Sequence, residues 1–249
     1  GRQALEANTT ANNNTAVGFQ AGLSNTTGED NVAVGYIALN QNTTGSFNTA
    51  VGRRALRSNT TANHNTTQGY YSLTFNTTGT NNTAMGSFAL KSNTTADNNT
   101  AVGYKAGFSN TTGFLNAFGS HAAQAQTTGT NTTAIGSFSL YSNTTGNNNT
   151  AVGSAFETTL GVLQSNTTGS SNTALGVSAL TSNTTASNNT AVGYQAGYST
   201  TVGFNNTLFG DRAGYSNVGN RGNTFLGQES GYTFNKSGNN DTFNTFVGY

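Results

Sequence analysis

One glycine governs this sequence. It begins at Gly1 and recurs at Gly18, Gly35, Gly52, Gly69, Gly86 and Gly103, then at Gly136, Gly153, Gly176, Gly193, Gly210, Gly227 and Gly248. Most intervals are seventeen residues. Gly119 comes one residue early, six residues are inserted between Gly153 and Gly176, and four between Gly227 and Gly248. A fixed period of this length restricts the chain to stacked repeats, each turn packing on the last. The spacing predicts an all-β fold: one domain over residues 1–249, a parallel β-solenoid or β-roll of about 14 coils with ~17 residues each. The insertions fall near 154–165 and 232–241.

With each glycine as position 0, the consensus reads Gly-x-x-Ala-Leu-x-Ser-Asn-Thr-Thr-Gly-x-Asn-Asn-Thr-Ala-Val. Position 16 holds Val17, Val34, Val51, Met85, Val102, Phe118 and Ile135, and is polar at Gln68. These residue types suit strands, and the column is expected to be a core ladder. Position 4 supplies a second ladder in Leu5, Leu39, Leu56, Leu73, Leu90, Leu140 and Leu180. Where it is glycine, the next residue turns apolar, as in Gly22-Leu23, Gly107-Phe108 and Gly197-Tyr198. One core slot filled from either of two backbone positions accounts for that exchange.

Neighbouring strand residues face opposite ways. If position 16 points inward, position 15 is an outer face. Its small uncharged side chains then form an oligomer interface: Ala16, Ala33, Ala50, Ala84, Ala101, Ala134, Ala151, Ala174, Ala191, Leu208, Phe225 and Phe246. The remaining half of each repeat is turn chemistry. Identical asparagines one coil apart can hydrogen-bond as amide ladders. Proline is absent, as central strands that must donate to a ladder require. No Asn-Gly dipeptide marks a two-residue hairpin. A contour of about 56 Å per coil allows two short strands and two turns.

Charged residues make up only 7% of the chain and the net charge is +1. Nucleic-acid and membrane-surface binders need clustered Lys and Arg, so neither is expected. The fixed phase of the apolar residues argues against the disorder that low charge and abundant Asn, Thr and Gly otherwise permit. There are no cysteines, hence no disulfides or thiolate metal sites. No apolar run approaches the ~18 residues of a membrane span, and no signal peptide is visible. Both ends fall in repeat phase, which predicts a segment of a longer array or a processed subunit whose ends abut neighbours.

Motifs such as Asn31-Val32-Ala33-Val34-Gly35 and Asn99-Thr100-Ala101-Val102-Gly103 resemble the repeats in heads of trimeric autotransporter adhesins. The array at 189–196 also looks like those of tail-fibre-like proteins that end in an intramolecular chaperone. The resemblance implies a left-handed β-roll, three chains about an axis, and a place on a cell or virion surface. The period here is seventeen rather than about fourteen, and no coiled-coil stalk, anchor or chaperone segment is present in this sequence.

Enzymatic signals are sparse, and no catalytic residue, cofactor or metal is expected. The acidic residues do not share a phase on neighbouring coils, as carboxylates cooperating across coils must. His64 and His121 stand in different columns. Arg53, Arg54 and Arg57 cluster in one coil and could touch a polyanion, although a solvated patch is the plainer reading. Ala155, Phe156, Leu160, Val162 and Leu163 make the first insertion an apolar bulge that packs on a neighbour or, as the lesser alternative, contacts a ligand. Asn8, Asn25, Asn42, Asn59, Asn76, Asn93, Asn110, Asn143, Asn166 and Asn183 each precede Thr-Thr, and are glycan acceptors if the chain is secreted.

The expected function is a non-enzymatic structural or adhesive extracellular fibre module, a subunit of a glycosylated filament stacking end to end. Its partners are then further copies of itself, as a trimer or filament, and a host-surface or glycan ligand. The alternative is an ice- or carbohydrate-surface binder that uses rows such as Thr26-Thr27, Thr43-Thr44, Thr94-Thr95 and Thr144-Thr145.

Overall fold

A computed structural model describes residues 1–155, 161–234 and 243–248. Among the described residues, fourteen parallel strands form a β-solenoid of about 13 turns, and there is no helix. Two compact units are distinguished, Gly1–Ser120 and His121–Tyr249. The first holds β1 (Thr15–Val17), β2 (Val32–Val34), β3 (Thr49–Val51), β4 (Thr66–Gln68), β5 (Thr83–Met85), β6 (Thr100–Val102) and β7 (Leu115–Phe118). The second holds β8 (Thr132–Ile135), β9 (Thr150–Val152), β10 (Thr173–Leu175), β11 (Thr190–Val192), β12 (Thr207–Phe209), β13 (Thr224–Leu226) and β14 (Thr245–Val247). Within each unit the strands pair in chain order, position for position: Ala33 faces Ala50, and Ala174 faces Ala191.

Among the described residues each coil contributes one strand, not the two expected. The rest of the coil is tight turns, yet it too is tied to its neighbours by backbone hydrogen bonds. The amides of Leu39, Gln41, Thr43 and Thr49 donate to the following coil, at Ala55, Arg57, Thr60 and Asn65. Those of Gly52, Arg54 and Phe47 donate to the preceding one, at Val34, Tyr36 and Glu29. Within a coil, Ala55 donates to the Gly52 carbonyl at 3.2 Å, closing a four-residue turn. Its third residue, Arg54, takes φ +60, the positive value that a type II turn places there. Leu56 follows at φ +49. Left-handed backbone costs an L-residue about 1–2 kcal/mol, and it recurs at positions 2, 4 and 12. What it achieves is the alternation of N–H direction, up to one neighbour and down to the other, so that backbone donors find carbonyls.

The interior is narrow, and it reverses the expected inside and outside of the strand. Ala33 is 2% exposed, and Ala50, Ala84, Ala101, Ala134, Ala151, Ala174, Ala191, Leu208 and Phe225 are fully buried. Ala16 is half-buried. The consensus valine column instead faces out, with Val17 57% and Phe209 53% exposed. The reason is volume. The position-4 leucines are fully buried from Leu56 to Leu180, and they leave room for only a methyl group opposite. The proposed oligomer face is therefore this chain's own core; Phe246 alone among its larger members is substantially exposed, at 39%.

The exceptions obey the same volume rule. Leu208 and Phe225 replace alanine where position 4 is glycine. A Cβ on Gly214 would lie 2.8 Å from Leu208 Cδ2 and 2.9 Å from Phe225 Cδ2, and one on Gly197 would lie 2.6 Å from Leu208 Cδ1. At Gly197 and Gly214 the slot is thus filled from across the core, and position 5 does not fill it as expected; Leu23, Phe108 and Tyr198 are only half-buried. Leu208→Ala should cost about 2–5 kcal/mol by leaving a cavity that two glycines cannot fill. Adding Gly197→Leu restores the pattern of most coils and should recover the greater part of the loss. Urea unfolding of the single and double variants measures both.

The first insertion ends in the core. Val162 and Leu163 are fully buried and occupy positions 3 and 4, with Leu163 N–H donating to the Ala179 carbonyl at 2.9 Å. They are core residues of their own chain and do not pack on a neighbour. Phe156 and Leu160 lie outside the described residues, as does most of the second insertion. Neither insertion disturbs register: Ala151 still faces Ala174, and Phe225 still faces Phe246.

Candidate functional site

The asparagines expected to carry sugar are enclosed. Asn42, Asn59, Asn76, Asn93, Asn110, Asn143, Asn166 and Asn183 are fully buried, Asn25 is 1% exposed and Asn8 half-buried. From Asn42 onward each side-chain amide donates to the one before it: Asn42 to Asn25 at 2.7 Å, Asn59 to Asn42 at 2.8 Å, Asn76 to Asn59 at 3.1 Å and Asn93 to Asn76 at 2.9 Å. Each also closes its own turn, as Asn76 does on the Gly79 carbonyl at 2.8 Å. The amide ladders read from the sequence are therefore real, and they count against the sequons, because a sugar on a buried amide nitrogen would displace the hydrogen bonds that nitrogen donates. The second column works similarly: Asn65 donates to the Gly79 carbonyl of the next coil at 2.9 Å and accepts from the Asn82 backbone at the same distance.

The first ladder breaks in the second unit, where Thr200 replaces asparagine. There Asn183 Oδ1, Thr200 Oγ1 and both side-chain polar atoms of Asn217 and Asn220 are buried without a protein partner.

Of the paired turn threonines, the first of each pair spends its hydroxyl on the next coil. Thr26 donates to the Thr43 carbonyl at 2.9 Å, Thr43 to Thr60 at 3.0 Å, and Thr144 to Thr167 at 3.0 Å. The second, including Thr27, Thr44, Thr95 and Thr145, is exposed. The two rows therefore do not make one flat array. The flat array lies on the sheet, where Thr and Val of each Thr-Ala-Val strand both point outward.

The histidines are absorbed by stacking. His64 lies on Phe47 with ring centroids 4.9 Å apart, and His121 on Phe138 at 4.7 Å. Tyr198, Tyr215 and Tyr232 stack at 5.0 Å intervals. Burial, and then the flanking Tyr198 and Tyr232, raise the Tyr215 phenol above its ordinary pKa. Arg212 and Glu229 form an ion pair at 3.5 Å, each more than a third exposed, and such surface pairs contribute little. No group of three or more His, Cys, Asp or Glu side chains comes together among the described residues. No described helix is long and apolar enough to cross a membrane.

The densest chemistry lies in the first unit, on positions 1 to 6 of five successive coils. The Arg53 guanidinium carbon is 5.4 Å from the Tyr36 ring and 5.7 Å from Tyr70, so the cation is held between two tyrosines. Arg54 lies 5.0 Å from the Tyr71 ring and Arg57 6.0 Å from Phe75. Lys91 reaches Phe108 at 5.1 Å and Phe88 at 5.6 Å, and Lys105 reaches Tyr104 at 5.3 Å. The arginine cluster was visible in the sequence. Its extension to Lys91 and Lys105 was not, although both occupy the same columns, at positions 5 and 2.

No known family model matches this chain, and a sequence search of curated proteins finds no match.

Proposed function

We propose that the chain is a non-enzymatic structural and adhesive module of an extracellular fibre, carried at a cell or virion surface. The observation that supports this most is how each coil is used. Its inward side chains are consumed by leucine packing and amide ladders, while its outward strand face repeats an uncharged threonine row beside an apolar row. The forward and backward faces of a coil are also complementary, since forward donors such as Leu39, Gln41, Thr43 and Thr49 meet carbonyls at the same or the preceding position of the neighbouring coil. A second copy in the same register is thus a natural partner, and such head-to-tail contacts do not close, so they build filaments.

Lateral contacts, the trimer of the resemblance among them, fall to the exposed position-16 row. Sugars of a glycosylated fibre sit on the exposed turn threonines, and the intact mass of native material measures them.

Electron microscopy of concentrated protein should show filaments that associate sideways. Met85→Lys combined with Phe118→Lys, both on the outward row, should abolish the sideways association while single filaments and the fold persist, because exposed substitutions usually change stability by less than about 0.5 kcal/mol. Monomers at every concentration would sink the reading.

A second reading, binding to ice or a crystalline carbohydrate surface, gains from the strand face, where alternate residues point outward in register. It ranks lower because Gln68, Met85, Phe118 and Phe209 interrupt the flatness of the apolar row. Thermal hysteresis of the purified protein separates the two.

A further inference from the structure

From the geometry of the first unit we infer that Arg53, Arg54, Arg57, Lys91 and Lys105 form a binding strip for an acidic polysaccharide. This supplies a ligand for the adhesive part of the reading above and rests on it.

These are five of the chain's nine basic residues, gathered within four successive coils on one face. Among the described residues no carboxylate pairs with them. In the first unit the acids Glu29, Asp30 and Asp97 occupy positions 11 and 12, and Asp97 is engaged by the Thr80 backbone and hydroxyl at 2.6 and 3.0 Å. Glu6 shares the strip's columns but stands three coils before Arg53. The Nε atoms of Arg54 and Arg57 are buried without a partner. Aromatic rings hold the cations in place, which reduces the ordering cost that a flexible surface cation otherwise meets on binding.

With coils about 4.8 Å apart, the charges from Arg53 to Lys105 span roughly 14 Å, so a linear polymer with repeated anionic groups fits better than a small anion. Tyr36, Tyr70 and Tyr104 are each at least 40% exposed and set phenol groups among the cations, where they can exchange hydrogen bonds with sugar hydroxyls. Single-stranded nucleic acid fits less well. It needs aromatic faces on which bases stack, within a charged groove. Here the rings are turned toward one another and the cations: Tyr70 meets Tyr71 at 4.4 Å and Phe88 at 5.2 Å, and Phe88 meets Tyr104 at 6.2 Å.

The test measures binding of the full chain to immobilised polygalacturonate, with neutral dextran, poly-L-glutamate and oligo(dT) alongside. Glutamine already stands in each column concerned, as Gln228, Gln20 and Gln124. Accordingly, Arg53→Gln/Arg54→Gln/Arg57→Gln and, separately, Lys91→Gln/Lys105→Gln are expected to keep the fold, which circular dichroism checks. Polygalacturonate should bind in a salt-dependent way and dextran should not. The arginine variant should lose about tenfold in affinity and the lysine variant a smaller amount, whereas Arg212→Gln/Arg221→Gln in the second unit should change little. Equal loss from the second-unit variant, undiminished binding by the arginine variant, or tighter binding of oligo(dT) or polyglutamate each overturns the assignment. Filaments scored by microscopy in the same preparations report on the fibre reading separately, so either can fail alone.

Discussion

Gly52→Ala is expected to destabilise the first unit by about 3–5 kcal/mol, the sum of a strained backbone and an overpacked contact. Gly52 has φ +135, and an added Cβ would lie 2.4 Å from the Gly69 carbonyl oxygen and 2.8 Å from its carbon. Both atoms are backbone of the next coil, fixed by their own hydrogen bonds, so neither can move aside. Gly69 stands in the same relation to Gly86, and Gly86 to Gly103. The glycine that sets the period in the sequence is thus the place where consecutive layers come closest. Gly107→Ala provides the contrast. It too has positive φ, but its Cβ would meet only leucine side-chain ends at 3.1 Å, and Ala123 already holds the equivalent position in the second unit at φ +49. It should cost about 1 kcal/mol or less. Urea unfolding followed by circular dichroism measures both; if the two variants are equally stable, close layer approach is not what requires glycine.

Asn76→Asp should be the other severe change, and a pH-dependent one. Asn76 donates to Asn59 and to the Gly79 carbonyl, and accepts from Asn93. A carboxylate keeps the acceptor and loses both donations, setting its charge against two oxygens. Unmade buried hydrogen bonds cost about 1–3 kcal/mol each, and more when a charge is involved. Burial raises the folded-state pKa of such a carboxyl above the unfolded value near 3.9. The penalty is therefore smallest below about pH 4, grows as pH rises toward the folded pKa, and is complete above it. Stability of the variant should fall between acid and neutral pH relative to Asn76→Ala, which lacks a titrating group. Parallel pH profiles of the two would contradict an enclosed ladder.

Much of this architecture was legible because stacking converts spacing into contact. The seventeen-residue interval, the leucine column and the asparagine ladders each follow from residues recurring in phase. The direction in which the strand faces was not legible. Valine is more apolar than alanine, so ranking by hydrophobicity puts Val51 inside and Ala50 outside. A strand of three residues offers no longer alternation to correct the error. Interior volume decides it, and a usable signal was present: position 15 is nearly always alanine and becomes large, at Leu208, Phe225 and Phe246, only where position 4 is glycine, whereas position 16 varies freely from valine to phenylalanine and glutamine. A column held to one small size faces a wall; one that varies in bulk faces water. The same reversal moved the candidate interface from Ala50 to the valine row. The sequons misled for a related reason, since Asn-Thr-Thr-Gly is a turn whose amide points inward.

The amide column has an electrical consequence. In the first unit, every link from Asn110 back to Asn25 is donated in the same sense, later residue to earlier. Bond dipoles laid end to end polarise one another, so each link is strengthened by those beside it. A layer in the middle of such a run is therefore held more firmly than one at its margin, and lengthening the stack reinforces what is already there.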